Sequence, residues 1–335
     1  MPRTKKPTLT DVARRAGVSV TTASYILNGR TTQMRIAEAT EQRVRQAMLE
    51  LEYRPNWSAR SLRGSSTRTI GFVSDFVASG GFSSRLIAGA NAAARSCDHV
   101  VIIGETMGNA EVELLVVEEM IDRQVDGILY ATRSASRVRL PEALRGVRTV
   151  LLNCVDERLD LPAVVADDVA GGVMATEVLV ARGSVREVYV VGEDPTPEAS
   201  AGEHRMEGIL SCLAAAGHRL TGVVACEWDV PPAFEAVSAW LATGVRPSAL
   251  ICLNDRIAMG AYQALERHGL RVPQDVAVIS FDGSDLASWL RPRLTSLALP
   301  FTEMGTRAVE ILMDPDGVVG GRTLMRPVLL AGDSA

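Results

Sequence analysis

From Thr69 onward, short apolar runs alternate with stretches of helical period, and that alternation leaves few folds open. The runs fall at 69–73, 100–104, 127–131, 150–153, 164–167, 188–192, 223–226, 250–254, 276–282 and 294–299. Stretches spaced like helices, for example 84–96, 110–123, 170–182, 203–216, 232–243 and 256–268, separate most of them. Apolar strands joined by helices make parallel sheets covered on both faces, a doubly wound α/β architecture. Ten strands are too many for one tidy sheet. Two similar halves, each with its own sheet and facing a shared cleft, are the economical solution, and ligands of such sheets sit at the carboxyl ends of the strands.

The first 68 residues follow another pattern. In the run TLTDVARRAGVSVTTASYILNG, residues 8–29, Leu9, Val12, Ala13 and Ala16 keep helical spacing until Gly17 breaks it. Ser19 then offers an N-cap oxygen to a second helix. That helix buries Ala23, Ile26 and Leu27 and leaves Val20, Thr21, Ser24 and Tyr25 on another face. Small residues at Ala13, Gly17 and Ala23 let the two helices cross closely, as in a helix-turn-helix whose second helix enters the DNA major groove. A plain helical hairpin would show the same spacing, and charge separates the two readings. Residues 1–68 hold thirteen Lys and Arg against five acids, a net +8, whereas the other 267 residues hold twenty-two against thirty-five, a net −13. A compact positive module suits a polyanion, because each neutralised phosphate releases condensed counterions. A third helix is expected at 36–51, stopped by Arg54-Pro55. Arg30 and Arg35, in the loop before it, either contact phosphates or belong to a solvated loop.

Composition and motifs exclude several function classes. No apolar core follows Lys6 as in a signal peptide, and no apolar run is long enough to span a bilayer, so a cytoplasmic protein without membrane contact is expected. Cys97, Cys154, Cys212, Cys226 and Cys252 are scattered without metal-ligand spacing and read as reduced core residues, so no metal and no cofactor is expected. Four isolated histidines, and the lack of GxGxxG, GxSxG or P-loop motifs, speak against an enzyme.

Residues 8–63 resemble the DNA-binding headpiece of the lactose-repressor (LacI/GalR) family, through DVARRAGVSVTTASYILNG, the third helix, and then Tyr53, Pro55, Asn56, Ala59 and Leu62. The body resembles that family's periplasmic-binding-protein-like regulatory domain through TIGFV, RQVDGILYA, DDVAGGVMATEVLVARG, NDRIAMGAYQALERHGLRVPQDVAVISFDG and PRLTSLALP. The resemblance implies a headpiece over 1–55, a hinge helix and linker over 56–68, and a two-lobed body over 69–335 with crossings near 168 and 299. It implies DNA contacts from Thr8, Ser19, Val20, Thr21, Ser24, Tyr25, Asn28, Asn56 and Ala59, with Leu62 wedged into the minor groove. It places Asp75, Phe82, Asp168, Arg205, Asn254 and Asp282 around a small effector, a sugar or related polyol. Carboxylate, amide and guanidinium groups at strand ends can pair a polyol's hydroxyls, and Trp228 could stack on a sugar face; for each, a helix cap or surface charge is the plainer role.

The expected protein is thus a homodimeric, effector-controlled repressor of double-stranded operator DNA. A sugar-binding receptor sharing the body fold is the alternative, although such a receptor needs an export signal and no basic head. Departures from the family pattern stand at ASGGFSS after the first strand, at Leu299 and Gly332, and at Tyr25, where many members place an arginine.

Overall fold

The computed structural model describes residues 7–27, 29–53, 66–78, 84–183, 186–193, 199–316 and 320–335. Two compact units divide the chain, Met1–Thr67 and Arg68–Ala335.

In the first unit, α1 (Leu9–Ala16) opens on a capping box: the Thr8 hydroxyl accepts from Asp11 N and the Asp11 carboxylate from Thr8 N. Gly17, at φ 69°, closes it in the left-handed region and turns the chain. Ser19 Oγ then accepts from Thr22 N at 3.0 Å and starts α2 (Val20–Leu27). The third helix, α3 (Glu38–Glu50), begins two residues later than its spacing predicts, because Arg35 (φ 50°) and the extended Ala37 still belong to the turn. Val12, Ala13, Ala16, Ala23, Ile26, Val44 and Ala47 form the core of the three helices. Arg15 pairs with Glu50 across α1 and α3. The expected hinge helix lies outside the described residues.

The second unit holds two six-stranded sheets. In chain order its elements are β1 (Thr69–Ser74), α4 (Ser84–Ser96), β2 (Val100–Glu105), α5 (Ala110–Asp122), β3 (Gly127–Arg137), β4 (Thr149–Val155) and β5 (Pro162–Ala166). Then come α6 (Asp168–Ala181), β6 (Val188–Val191), α7 (Ala201–Ala215), β7 (Leu220–Val224), α8 (Val230–Ala242), β8 (Ala249–Cys252) and α9 (Asp255–Arg267). The chain closes with β9 (Ala277–Asp282), α10 (Asp285–Trp289), β10 (Thr295–Ala298), α11 (Phe301–Leu312), β11 (Gly321–Met325) and β12 (Val328–Leu330). Sheet one runs β11-β5-β4-β3-β1-β2, all parallel; sheet two runs β12-β10-β9-β8-β6-β7, parallel except for the β12–β10 pair. The chain passes between the sheets after β5, after β10 and again between Met325 and Val328. That third passage, with β11, β12 and α11, goes beyond the expected elements.

Both lobes contain helix crossings too close for any side chain. A Cβ on Gly172 of α6 would lie 2.1 Å from the Arg205 carbonyl oxygen of α7, and one on Gly208 would lie 2.0 Å from that of Val169. Gly89 of α4 and Gly305 of α11 make the matching contact in lobe one, at 1.9 Å from Thr302 O and 2.1 Å from Leu86 O. Backbone-to-backbone packing therefore sets the α6–α7 spacing, and so decides what the first turns of these helices present to each other.

Candidate functional site

A pocket lies between the lobes, at the carboxyl ends of both sheets. Its empty volume is about 510 Å³ with the open solvent at the mouth included. Lobe two supplies Asp168, Arg205, Trp228, Asn254, Arg256 and Asp282. Lobe one supplies Arg133, Ala135 and Asn153, joined by Leu299 and Phe301 on the segment that returns to it.

The α6–α7 crossing puts Arg205 beside Asp168. Arg205 Nε donates to Asp168 Oδ1 at 2.8 Å, and each side chain is only 2% exposed. The guanidinium also donates to the Leu253 carbonyl oxygen and lies 4.4 Å from the Phe281 ring centroid and 5.5 Å from that of Trp228. Asp168 opens α6 without capping it; Asp167 does that, accepting from Ala170 N at 2.9 Å. Trp228 donates its indole N–H to Glu193 O. Asn254 caps α9, its Oδ1 accepting from Ile257 N at 2.7 Å, so the plainer role holds for that oxygen although the residue lines the pocket.

Asp282 ends β9 at φ 102°, a left-handed backbone uncommon outside glycine. A hub beneath it holds that conformation. The buried Asp255 carboxylate accepts from Ser280 Oγ at 2.5 Å, Ser296 Oγ at 2.7 Å, and the backbone N–H and hydroxyl of Ser284, each at 2.7 Å. Ser296 Oγ in turn accepts from Gly283 N at 3.0 Å. Burial pushes the Asp282 carboxyl up to about 7; the Arg205 and Arg256 cations pull it down, while the Asp255 and Asp168 carboxylates add to the rise. Burial likewise raises Asp255 despite its four donors.

Of the expected ligand residues, Asp168, Arg205, Trp228, Asn254 and Asp282 meet in this one pocket. Asp75 stands apart from its lining: the carboxylate accepts from Phe76 N at 2.5 Å and Arg133 N at 2.9 Å and shapes the turn after β1. Phe82 lies outside the described residues. Sequence reasoning missed Arg133, Asn153 and Arg256. Their signal was position alone: Arg133 and Asn153 lie within the carboxyl-terminal halves of β3 and β4, and Arg256 in the first turn of the helix after β8. Asn153 Nδ2 donates to Thr132 O at 3.1 Å and Thr132 Oγ1 to Asn153 O at 2.8 Å, tying β3 to β4 at the pocket wall.

In the first unit, Ser19, Val20 and Thr21 are exposed and Ser24 and Tyr25 are half-buried. Val20 is 44% exposed. Ser19 and the exposed Thr8 both spend their hydroxyls on helix caps. Asn28, Asn56, Ala59 and Leu62 lie outside the described residues.

The fold and the pocket define a class: a helix-turn-helix unit on one chain with a two-lobed, doubly wound ligand-binding body. Residues 8–56 match the model of bacterial regulatory proteins of the lacI family, and residues 176–334 match a periplasmic binding protein-like domain. The ribose operon repressor of Escherichia coli (strain K12) is 31% identical over 316 residues, covering 91% of this chain and 92% of that protein. The HTH-type transcriptional repressor PurR of Vibrio vulnificus (strain CMCP6) is 31% identical over 327 residues, covering 92% and 91%. The solved lac repressor dimer bound to operator and the anti-inducer ONPF shares the fold at a TM-score of 0.84 and 23% identity, over 98% of this chain and 99% of that one. The transcriptional regulator CelR in complex with cellobiose superposes at a TM-score of 0.70 and 26% identity, over 98% and 100%. The chain belongs to the lacI family of bacterial regulatory proteins and is a DNA-binding transcriptional regulator.

Proposed function

We propose that this regulator is a cytoplasmic, homodimeric repressor whose affinity for a near-palindromic operator is set by a small polyol bound between the lobes of the body. The observation that carries the reading is the pocket itself. Its polar groups come from both lobes, so a ligand touching both has a different affinity for each relative lobe orientation, which is the condition for a ligand to shift an equilibrium. Hydroxyl recognition falls to Asp168, Arg205, Asn153 and Asp282, and Trp228 offers an apolar face. The relatives, a ribose operon repressor and a regulator in complex with cellobiose, support a sugar-like ligand.

DNA reading falls to the exposed face of α2, with Val20 and Thr21 methyls suited to thymine methyl groups. The hinge residues Asn56, Ala59 and Leu62 act at the operator centre, as the family resemblance implies. A second copy of the chain has a surface to meet: the edge strand β2 and the adjoining α5 expose Val100 and Leu115, each 61% accessible, with Ile103 and Leu114 beside them. The equivalent edge of sheet two, β7, exposes Val223. Among the described residues no helix is long and apolar enough to cross a membrane.

The test is a comparison of the full chain with a fragment of residues 69–335, on operator DNA and on a sugar panel. The fragment should keep the ligand and lose the DNA. DNA affinity retained by the fragment would overturn the assignment of the head.

A further inference from the structure

The lobes are joined by more than the passages of the chain between them. Beside Asp282, Arg85 in the first turn of α4 reaches from lobe one into lobe two. Its Nη1 donates to the Gly283 carbonyl oxygen at 3.0 Å, and its Nη2 lies 3.9 Å from the Asp285 carboxylate. Gly283 directly follows Asp282 on the pocket wall. Its N–H is held from within lobe two by Ser296 Oγ, which is itself bound to the Asp255 carboxylate. The turn after Asp282 is therefore gripped by one lobe at its N–H and by the other at its carbonyl.

Beside Ala135, the end of β3 meets the start of α7. Arg137 Nη2 donates to Glu203 Oε2 at 2.6 Å. The Ser200 N–H donates to the Ala135 carbonyl oxygen at 2.9 Å, and Ser136 and Ala199 form an antiparallel bridge. Ala135 and Ala201 line the pocket at this point. The helices that carry these contacts are not free to give one at a time. A Cβ on Gly305 of α11 would lie only 2.1 Å from the Leu86 carbonyl oxygen of α4, and α11 itself begins at Phe301 on the pocket wall. α7 lies equally close on α6, at Gly172 and Gly208. Helices packed backbone to backbone move as rigid pairs, so opening the cleft at Arg85 strains the contact at Ser200 as well.

We propose that these contacts act together as a clasp that closes the cleft before any effector arrives, with Arg85 and Arg137 as its two fastenings. An effector enters only when both are undone. The entry step rests on the effector reading above; the clasp does not. A cleft closed in advance is preorganised for its ligand, and the cost of opening it falls on the rate of association. Both fastenings are partly exposed ion pairs, yet Arg85 differs in also holding the backbone next to a pocket residue.

The Ser200 amide reports the clasp, because its partner is a carbonyl of the other lobe and its exchange with solvent deuterium needs the cleft to open. Exchange is followed on the ligand-free full chain by mass spectrometry with fragmentation to single residues. Ser200 should be protected in the natural chain. A partly exposed ion pair shifts an equilibrium by up to about fivefold, and a hydrogen bond from a charged group by about tenfold or more. Arg85→Met should therefore speed Ser200 exchange about tenfold, although the bonds it removes are those to Gly283 and Asp285. Arg85→Lys should speed it less, and Arg137→Met should speed it about fivefold. Ile251, in the buried strand β8, should keep its rate in all three variants. A Ser200 amide that exchanges freely in the natural chain would overturn the clasp. So would an unchanged Ser200 rate in Arg85→Met, which makes the contacts independent, or an equal rise at Ile251, which makes Arg85 a prop of the fold of lobe two. Failure of every sugar to bind would remove the effector reading and leave the exchange result as it stands.

Discussion

Replacing Arg205 with alanine should damage the body far more than a lost ligand contact would. Asp168 and Arg205 are each 2% exposed and joined at 2.8 Å, and the guanidinium also holds the Leu253 carbonyl and lies on Phe281. An exposed ion pair is worth at most about 1 kcal/mol, but removing one partner of a buried pair costs about 3–5 kcal/mol, because the other charge stays behind in a poor solvent. Here the remaining carboxylate also faces Asp282, whose own ionisation Asp168 already opposes. Against a total stability of about 5–15 kcal/mol for a typical domain, the single change brings lobe two close to unfolding. Replacing both groups by apolar side chains of similar volume, Asp168→Leu with Arg205→Met, removes the stranded charge and should recover most of the loss. Urea denaturation followed by tryptophan fluorescence, run on all four members of this double-mutant cycle, gives the coupling between the two residues. An Arg205→Ala chain that loses less than about 1 kcal/mol would refute the buried-pair argument, since that is the behaviour of a solvated pair.

Other expected outcomes follow from named groups. Folding raises the Asp282 carboxyl from its ordinary 3.8 to about 7, so the folded chain keeps a proton that the unfolded chain releases. Its contribution is greatest below pH ~4 and is lost as the pH climbs to ~7; Asp282→Asn should flatten that part of the stability–pH curve, and identical melting profiles at pH 5 and pH 8 for both chains would contradict it. Tyr25→Arg should shift the selected operator toward guanine at one position per half-site, because a guanidinium pairs guanine O6 and N7 together; unchanged half-sites in a binding-site selection would place Tyr25 off the reading face. Leu62→Ala should lower the ratio of operator to random-DNA affinity, since a wedge acts only on deformed DNA. Equal loss on both DNAs would reduce Leu62 to a packing role.

The core was legible in the sequence where burial imposes a pattern. Fully buried strands such as 249–252 read as continuous apolar runs, and the head showed itself through Gly17 and Ser19, where the turn and the cap both need particular residues. The tail did not. GRTLM of β11 is largely exposed, and β12 is three exposed residues; both exist because neighbouring strands offer them backbone partners. In the pocket, lobe two was readable because Asp168, Asn254 and Asp282 each lie at the carboxyl end of a strand or within two residues of it. The lobe-one wall was not, since Arg133 depends on a register shift that no local spacing announces. Asn254 carries a second lesson: a residue chosen for its amide is at once a helix cap and a pocket wall, and residue type alone does not separate the two roles.

In the function proposed above, pocket and head are linked on one chain. The direct test is to measure DNA affinity by fluorescence anisotropy with and without a saturating pocket ligand, and ligand affinity by calorimetry with and without operator DNA. Linkage requires the same factor in both directions, and couplings of this kind amount to about 5–150-fold. Matching factors in that range are expected, both lost in a chain whose Arg205 is changed to methionine together with Asp168→Leu. A ligand that fills the pocket yet leaves DNA affinity unchanged would contradict it.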